Sequence, residues 1–597
     1  MQNVSQAWKD NQNNTLVSES DIEVSLRMTD PDAYEDASAS DNGSVAFANT
    51  DYIVSDGVKN VLPYATMETN QWVLDGTRKV VPDSNFGEVG FVGNVLCAVD
   101  KAYSTNPIIS INFTKVHTNL LQGVTIIWSE FLNEYAEEFI IKAYNGSTVV
   151  ATKTVVDNKS IKSVVMFDIL NYNKITIEIV KWSMGYRRAR IDEVFVGVNK
   201  VFSKKDIFSY SCSHSVDPIS AELPKSEISF SIDNLNSAYN PYNADGLSKY
   251  LMERQEINVR YGYKLSNGVE WISGGKYYIS EWDAEQNGMS ADFKARDLLE
   301  FMTGTYYKGL YNTSGTSLYD LAENVLQDAD LPINSDGTVK WVIDEKLKNI
   351  YTVAPLPIDT HANCLQMIVN AGGCVFYQDR LGVLRIESVS WGSDTTGTDY
   401  GITYFNSYSK SGLSLSKPLK QVDVPCYSYS VAAQSSELFK GAMAINGTTT
   451  VVLTYSGTAT NVSAKLSSGT LNSATYYSNA CVLNITATGT ITITVTGYNL
   501  ETSSILISTV SSESGETVSV DNPLITSQER AVAIGSWVES YMKNRMTLSS
   551  EWRADPRLDA LDIVDNENDY GVNKVIMTNV EYSYNGAFRG SGEGRVI

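Results

Sequence analysis

Short apolar runs of strand length recur along most of this chain, and turn residues separate them. They are densest between residues 60 and 200, where six runs follow one another: 108–113, 124–128, 138–144, 148–155, 175–180 and 190–196. Runs of this length and spacing are typical of a β-sandwich or jelly roll. The alternation returns at residues 228–232 and 257–263, so we expect a mainly β protein with several domains.

Helical periodicity occurs in only three segments. The first covers residues 317–331 and has Ser317 as a possible cap. The second runs from about residue 359 to 371 and ends at Gly372-Gly373, and a hairpin pattern follows it. The third follows Pro523, with Thr526 and Glu529 as a possible capping box. The first two helices and the hairpin predict a small α+β unit.

Residues 440–522 have a different character from the rest of the chain. They carry almost no charge, are rich in Ser, Thr and Gly, and alternate cleanly at 450–455 and 490–496. This pattern predicts an immunoglobulin-like sandwich inserted into a larger domain.

The charge balance excludes some functions. The 597 residues include 46 Lys and Arg against 69 Asp and Glu, a formal net charge of -23, so there is no basic surface for coating nucleic acid or an anionic membrane. No apolar run approaches the roughly 18 to 20 residues that span a bilayer. Residues 1–6 lack the features of a signal peptide, so we expect assembly in a cytoplasm.

Residues suited to metal or covalent chemistry are few. The six cysteines form no CxxC pair, and the three histidines have no metal-binding spacing, so we expect free buried thiols, no metal, no cofactor and no catalytic residues. Residues 565–571 (DNENDYG) resemble a calcium loop only poorly. Their glycine is one position late and the ligand at position twelve is missing, which favours a strand turn.

A run of aromatic and arginine side chains at residues 182–190 (WSMGYRRAR) is the best candidate for ligand contact. Aromatic rings stack on sugar faces, and guanidinium groups donate hydrogen bonds to hydroxyls or carboxylates. The candidate glycan-binding residues are Trp72, Tyr186, Arg187 and Arg188. A competing interpretation is that Arg188 and Arg190 hold a strand to neighbouring carboxylates. Trp72, Trp128 and Tyr135 also have two possible placements each, in the hydrophobic core or at the rim of the module where a ligand could contact them.

Four segments resemble a discoidin-like (galactose-binding-domain-like) jelly roll that many tailed-bacteriophage tail proteins carry. They are residues 64–76 (YATMETNQWVLDG), 126–129, 135–139 and 186–194 (YRRARIDEV). Separately, residues 227–234 (EISFSIDN), 239–241, 259–262, 274–279 and 295–299 look like the first barrel domain of a phage baseplate or tail-tip hub. Residues 552–556, 561–563 and 582–586 are similar to the end of the same hub family.

The sequence patterns and the resemblance together predict six parts, which are listed by residue range: 1–59, N-terminal strands that complete the hub barrel; 60–200, the discoidin-like jelly roll; 201–300, the first hub barrel; 301–395, the small α+β domain; 396–440 with 523–597, the second hub barrel; and 441–522, the immunoglobulin-like insertion.

The resemblance also implies a function. A hub of this kind is a homotrimer whose two barrels per chain form a pseudo-sixfold ring that caps the tail tube. Its implied partners are the distal tail or tail-tube protein, the tape-measure protein, a fibre or spike protein and, for the outer modules, host surface glycans. The expected location is the virion, after assembly in the host cytoplasm, and the acidic balance suits DNA passage without binding.

Two other functions stay open at this stage. One is a modular carbohydrate-active hydrolase, although no segment has the roughly 250 residues of alternating helices and strands that a (β/α)8 barrel needs. The other is a peripheral tail adaptor or fibre-anchoring protein. Copy number in the particle separates this adaptor from a hub, because three copies favour a hub and six or more favour an adaptor.

Overall fold

The computed structural model describes residues 1–28, 31–41, 48–49, 53–54, 64–78, 88–219, 222–243, 251, 255–266, 268–284, 288–329, 331, 340–389 and 400–597. These ranges hold 37 β-strands and five α-helices, so the chain is mainly β, as the alternating runs predict.

The helices are short and few. They are α1 (Gln6–Gln12), α2 (Pro31–Asp36), α3 (Leu318–Asp328), α4 (His361–Gly372) and α5 (Gln528–Met542), with 3-10 turns η1 (Leu298–Phe301) and η2 (Glu345–Asn349).

The strands of the first half of the chain are β1 (Ser20–Met28), β2 (Ser38–Asp41), β3 (Ala48–Asn49), β4 (Glu88–Val89), β5 (Phe91–Leu96), β6 (Ile108–His117), β7 (Leu121–Ile127), β8 (Ala136–Asn145), β9 (Thr148–Val155), β10 (Lys162–Ile169), β11 (Tyr172–Trp182), β12 (Arg188–Ile191), β13 (Glu193–Phe195), β14 (Val198–Ser203), β15 (Ile207–Ser215), β16 (Lys225–Asp233), β17 (Glu256–Leu265), β18 (Gly268–Asp283) and β19 (Ser290–Arg296).

The remaining strands are β20 (Thr305–Tyr306), β21 (Thr316–Ser317), β22 (Trp341–Ile343), β23 (Tyr351–Thr352), β24 (Asp359–Thr360), β25 (Cys374–Gln378), β26 (Leu384–Ser388), β27 (Gly401–Ile402), β28 (Gly412–Leu415), β29 (Leu419–Thr454), β30 (Ala459–Leu466), β31 (Thr470–Tyr476), β32 (Ala480–Val510), β33 (Glu516–Ser519), β34 (Met546–Arg553), β35 (Ile563–Asn568), β36 (Gly571–Tyr584) and β37 (Phe588–Val596).

One sheet of 13 strands dominates the molecule, and we call it the large sheet. Its order is β14-β1-β17-β18-β19-β16-β15-β36-β37-β34-β28, and β27 and β35 join it through β36. The sequence predicts two hub barrels, over 201–300 and over 396–440 with 523–597. Among the described residues the strands form neither barrel as a closed unit, because β15 pairs with β36 and unites both groups in one open sheet. A shared aromatic core that includes Tyr261, Tyr582 and Phe588 stabilises this union.

The chain leaves the large sheet after β1 and returns to it at β14. We call the residues between these strands, 31–197, the inserted module. β1 and β14 are antiparallel neighbours with Met28 opposite Val198, so the ends of the insertion lie side by side. Within the module a five-stranded sheet (β2-β6-β11-β8-β9) and a three-stranded sheet (β10-β7-β13) share one core around Trp128 and Trp182. α2 and β2 belong to it although they precede residue 60, where the sequence pattern predicts its start.

The α+β unit packs α3, α4 and α5 on short strands around its own core. Ser317 caps α3, and α4 ends at Gly373 in the left-handed region (φ 61°), as the sequence predicts. The cap of α5 differs from the prediction. Ser527, and not Thr526, accepts the hydrogen bond of the Arg530 N–H at 3.2 Å, because the Thr526 hydroxyl accepts from the Val353 N–H instead.

Two very long strands, β29 and β32, form an antiparallel ribbon. It begins in the α+β core and ends in a separate small core, the tip unit (residues 435–499). The sequence predicts a sandwich of two facing sheets for 441–522, but β29, β30, β31, β32 and β33 belong to one sheet. The reason is that β30 and β31 pair with different halves of the same long strand, β32.

In the described part of the chain, no helix has the length and apolarity that crossing a bilayer requires. No group of three or more His, Cys, Asp or Glu residues in that part could hold a metal ion. All six cysteines are buried and free. The calcium-like residues 565–571 form the β35–β36 hairpin, and Asp569 at its turn binds Lys410 and Tyr404.

Candidate glycan-contact surface

Four loops of the inserted module meet at one end of its sandwich, and we call this surface the loop end. The loops are residues 64–78, 96–102, 129–135 and 183–187. The Cys97 N–H donates to the Arg187 carbonyl at 2.9 Å, and the Ser183 N–H donates to the Tyr135 carbonyl at 2.8 Å. All candidate glycan-binding residues lie on or beside these loops, since Arg188 begins the strand that follows the last one.

Arg187 is a buried structural residue with 3% of its surface exposed. Its Nε donates to Glu134 Oε1 at 2.7 Å, and its Nη1 donates to the Thr69 carbonyl. The other oxygen of Glu134 accepts from the Trp182 indole N–H at 2.9 Å. One guanidinium group therefore fastens two loops to the core and is not available to a ligand, contrary to the role that the sequence suggests for it.

Arg190 and Glu68 form a second buried ion pair. Arg190 Nη2 lies 2.6 Å from Glu68 Oε2, and Nη1 donates to Oε1 at 2.8 Å. Burial opposes ionisation of Glu68, but the hydrogen bonds and charge of Arg190, with the Arg188 N–H, outweigh it and lower the pKa of Glu68. The competing interpretation, a strand held to a carboxylate, is therefore correct for Arg190.

Arg188 is half-buried and also engaged. Its backbone N–H donates to Glu68 Oε1 at 2.7 Å, and its Nη1 donates to the Gly93 carbonyl at 3.1 Å. Trp128, which the sequence leaves between core and rim, is fully buried and donates to the Ser163 hydroxyl. Both side chains therefore make hydrogen bonds inside the module.

Trp72 and Tyr186 are the exposed aromatic residues among the four candidates. They expose 49% and 52% of their surfaces. Tyr186 has a left-handed backbone (φ 59°), an uncommon conformation for a tyrosine, directly after Gly185. A side chain at residue 185 would approach the Val99 carbonyl to 3.0 Å, so this turn packs tightly against the loop of residues 96–102.

Sequence reasoning missed the buried carboxylates and the aliphatic part of the loop end. Glu68 and Glu134 lie far along the chain from their arginines, and no spacing links them. The other exposed large apolar residues of these loops are Met67, Leu74, Leu96, Val99, Phe131 and Met184. Scattered single hydrophobic residues carry no periodic signal in a loop, so only the fold brings them together.

Charged groups of both signs lie at the margin of the loop end. Asp75 is fully exposed, and hydrogen bonds from the Thr77 side chain and backbone lower its pKa. Lys101 pairs with Glu137 at 2.7 Å, and Arg78 lies 5.2 Å from the centre of the Phe131 ring. The loop end therefore carries exposed apolar side chains beside charged ones, and the guanidinium groups of Arg78, Arg187 and Arg188 each already have a contact within the module.

No protein-family model and no curated protein matches this chain. Solved structures of tail proteins are similar to it over two thirds of its length. The 43 kDa tail protein of prophage MuSo2 from Shewanella oneidensis has 11% identity and a TM-score of 0.36, over 67% of this chain and 95% of that one. A tail protein from Neisseria meningitidis MC58 has 9% identity and a TM-score of 0.36, over 67% and 93%. Prophage tail protein gp18 from Listeria monocytogenes EGD-e has 11% identity and a TM-score of 0.35, over 67% and 91%.

Proposed function

We propose that this chain is a structural virion protein that forms the hub at the tip of a phage-type tail. The proposal is supported mainly by the positions of the hub-like motifs in the large sheet. Residues 227–233 of the first motif lie on β16, residues 259–262 lie on β17, and residues 582–584 lie on β36. These segments are far apart in the sequence and share one sheet and one core.

In this role three copies surround the axis of the tail and cap its tube. The large sheet supplies the ring, and the inserted module and the tip unit are additions to it. The implied neighbours are the distal tail or tail-tube protein, the tape-measure protein and a fibre or spike protein. The net charge of -23 supports a channel through which DNA passes without binding. No step of this function requires catalysis or a cofactor.

The mass of the purified full-length chain in solution tests the hub assignment. Light scattering at two concentrations should give a trimer, or a monomer–trimer equilibrium that shifts towards trimer at the higher concentration. Six or more copies per tail in a purified particle would favour the adaptor function. A monomer at both concentrations would contradict the trimer.

The loop end of the inserted module supports a second, separable part of the proposal, contact with host surface glycans. Trp72 and Tyr186 offer exposed rings for stacking on a sugar face. Arg187 is buried in its pair with Glu134, and Arg188 donates to the Gly93 carbonyl, so neither guanidinium is preorganised for a sugar carboxylate. The expected ligand is therefore an uncharged sugar.

A glycan array that contains neutral and acidic sugars tests this contact with the full-length chain. Binding to neutral glycans should disappear in the double variant Trp72→Ala, Tyr186→Ala and persist in Tyr242→Ala, a control that removes an exposed tyrosine outside the module. Binding only to acidic glycans, or binding that survives the double variant, would contradict it. The hub assignment does not depend on the result.

A further inference from the structure

The inserted module is connected to the large sheet at a single place. The chain enters the module after Met28 and leaves it at Val198, and these residues lie opposite each other on β1 and β14. The two connections are therefore side by side, as in a hinge between two parts of a chain. Each part also has its own hydrophobic core among the described residues, so each can keep its fold when their relative position changes.

Away from these connections, the module contacts the large sheet through charged groups. β14 contacts β7 and β10 of the module. Lys162, the first residue of β10, lies 2.7 Å from Glu23 Oε1 of β1. Glu130 Oε1 of the module lies 3.5 Å from Arg260 Nη2 of β17. Two ion pairs of opposite polarity therefore cross the junction between the module and the sheet.

The same four charged groups form a closed ring in which positive and negative charges alternate. Within the large sheet, Arg260 Nε donates to Glu23 Oε2 at 2.7 Å, and the two residues are direct partners on β17 and β1. Within the module, Lys162 Nζ lies 3.4 Å from Glu130 Oε1. Each carboxylate therefore contacts both cations. We call Glu23, Glu130, Lys162 and Arg260 the ion ring.

The ion ring is well ordered while the module lies against the sheet. Burial opposes ionisation of Glu23, but the charges and hydrogen bonds of Arg260 and Lys162 outweigh it and lower the pKa of Glu23. The Arg260 guanidinium also lies 4.4 Å from the centre of the Trp271 ring, which holds it from the side of the large sheet. The four side chains expose between 11% and 39% of their surfaces, so dissolved ions can screen the ring.

The ion ring divides into two neutral pairs when the module moves away from the sheet. Glu23 keeps Arg260, and Glu130 keeps Lys162, so separation leaves no member of the ring without a partner. A junction with one buried ion pair behaves differently, because its separation leaves two uncompensated charges and is strongly unfavourable. The arrangement of the ring therefore lowers the cost of separating the module from the sheet.

We propose that the inserted module docks reversibly on the large sheet, with the connection at β1 and β14 as its hinge and the ion ring as its latch. Glu130 belongs to the loop of residues 129–135, which also carries Phe131 of the loop end. Docking holds this side of the loop end at the large sheet, and undocking frees it for contact with another molecule. The device acts within one chain and does not depend on the number of copies in the hub.

The distance between two spin labels on the full-length chain tests the proposal. The labels are attached at Val149→Cys in the module and at Tyr242→Cys in the loop after β16, because both positions are exposed. The six native thiols are buried and stay unlabelled. Labelled chains are diluted with unlabelled chains, so that only distances within one chain are recorded.

Three variants are compared with the wild type in this labelled background. Lys162→Glu places a carboxylate beside Glu23, and Lys162→Gln removes the charge without adding a repulsive one. The matched control is Lys142→Glu, which makes the same charge change but breaks an ion pair with Glu178 inside the module. Circular dichroism checks the fold, and Lys162→Gln decides the outcome if Lys162→Glu does not fold.

We expect the wild type to give one main distance in about 0.05 M salt and a second distance that gains population in about 0.5 M salt, because ions screen the pairs across the junction. At the lower salt concentration, Lys162→Glu should raise the ratio of undocked to docked chains at least about 10-fold, since like charges then face each other. Lys162→Gln should raise it less, and Lys142→Glu should leave it unchanged.

Two results would overturn the proposal. If both Lys162 variants give the wild-type distances at both salt concentrations, the ion ring is not a latch. If Lys142→Glu changes the distances as much as Lys162→Glu does, the change comes from a general weakening of the module. The hub assignment and the glycan contact stand in either case, because neither requires the module to move.

Discussion

Arg187 joins three parts of the inserted module through a single buried guanidinium group. It contacts Glu134 and the Thr69 carbonyl, and Glu134 in turn accepts from Trp182. Removal of one member of a buried ion pair leaves the other charge without a partner in a low-dielectric environment.

We therefore expect Arg187→Ala to lower the free energy of unfolding of the module by about 3 to 5 kcal/mol, as measured by denaturant unfolding. The control is Lys294→Ala, which removes the exposed pair with Glu281 and should cost at most about 1 kcal/mol. A loss of similar size in the two variants would show that the buried pair contributes no more than a surface pair.

Asp297 is a second buried carboxyl with consequences for stability. It follows β19, lines a cavity of about 370 Å³ that Arg380 and Asp559 also line, and is almost fully buried. Burial raises the pKa of Asp297 to about 7, and the charge of Glu300 adds to the rise. The unfolded chain releases this proton near pH 4 and the folded chain near pH 7, so the folded state loses stability as the pH rises between these values.

The variant Asp297→Asn keeps a neutral polar group at this position and should lack that pH dependence. Its free energy of unfolding relative to the wild type should rise between pH 5 and pH 7 by on the order of 1 kcal/mol per pH unit and level off above. The exposed Asp283→Asn serves as the control. A difference between wild type and Asp297→Asn that does not vary with pH would contradict the raised pKa.

The residue types of the candidate surface could be predicted from the sequence, but their roles could be predicted only in part. Aromatic residues in a polar loop suggest exposure, which is correct for Trp72 and Tyr186. An arginine beside them has two possible roles, and the choice depends on whether a carboxylate meets it in space. Glu134 meets Arg187 from a different loop, so no local pattern could reveal the pair.

At the scale of elements, helix ends were the most predictable features because their signals are local. Ser317 and Gly373 lie where the capping rules place them. The cap of α5 lies one residue after the predicted position, since Thr526 and Ser527 both carry hydroxyls and only the distant Val353 N–H distinguishes them.

Gly373 provides a test of the end of α4. The backbone of residue 373 has a positive φ, which is strained for any residue with a Cβ. A Cβ at this position would also approach Arg530 Nη2 to 2.9 Å. Gly146 has nearly the same φ, 60°, with open space around it. We expect Gly146→Ala to cost about 1 kcal/mol from backbone strain alone and Gly373→Ala to cost more, both measured by denaturant unfolding. Equal losses would mean that the Arg530 side chain moves aside freely.

The length of β29 and β32 could not be predicted from alternation. Their middle section is exposed on both faces around residues 501–506, and a register shift interrupts the ladder between Val431 and Ser435. Apolar and polar residues alternate along a strand when one of its faces is buried. A ribbon section with no buried face therefore shows no alternation in its sequence. The sequence pattern therefore divides one continuous element into separate parts.

At the scale of the whole molecule, each hydrophobic core contains at least one cysteine. Cys97 lies in the core of the inserted module, Cys212 in that of the large sheet and Cys481 in that of the tip unit, and the α+β core contains Cys364, Cys374 and Cys426. Burial raises the pKa of all six thiols. Protonated, buried thiols react slowly.

We therefore expect a thiol reagent to label the native chain negligibly and the denatured chain at six sites. In partial denaturant, Cys481 should react before Cys212, because the tip core is smaller than that of the large sheet. Peptide mass spectrometry identifies the order of labelling. Rapid labelling of the native chain at any of the six positions would contradict the burial described here.

The union of two predicted barrels in one sheet also belongs to this scale. Each group of strands shows its own alternation, but pairing of β15 with β36 joins segments separated by several hundred residues. Sequence patterns describe which face of a strand is buried and not which distant strand lies beside it. Fold class was therefore predictable, whereas sheet membership was not.

The paired strands β29 and β32 have a mechanical consequence. Both are held at one end in the α+β core, and the tip unit connects them at the other. A pull applied at the tip unit along the ribbon loads the two strands in parallel, so the hydrogen bonds between them are not peeled apart one by one. The covalent backbone carries the tension, and the ribbon transmits force from the tip unit to α5 and the α+β core, against which its other end packs.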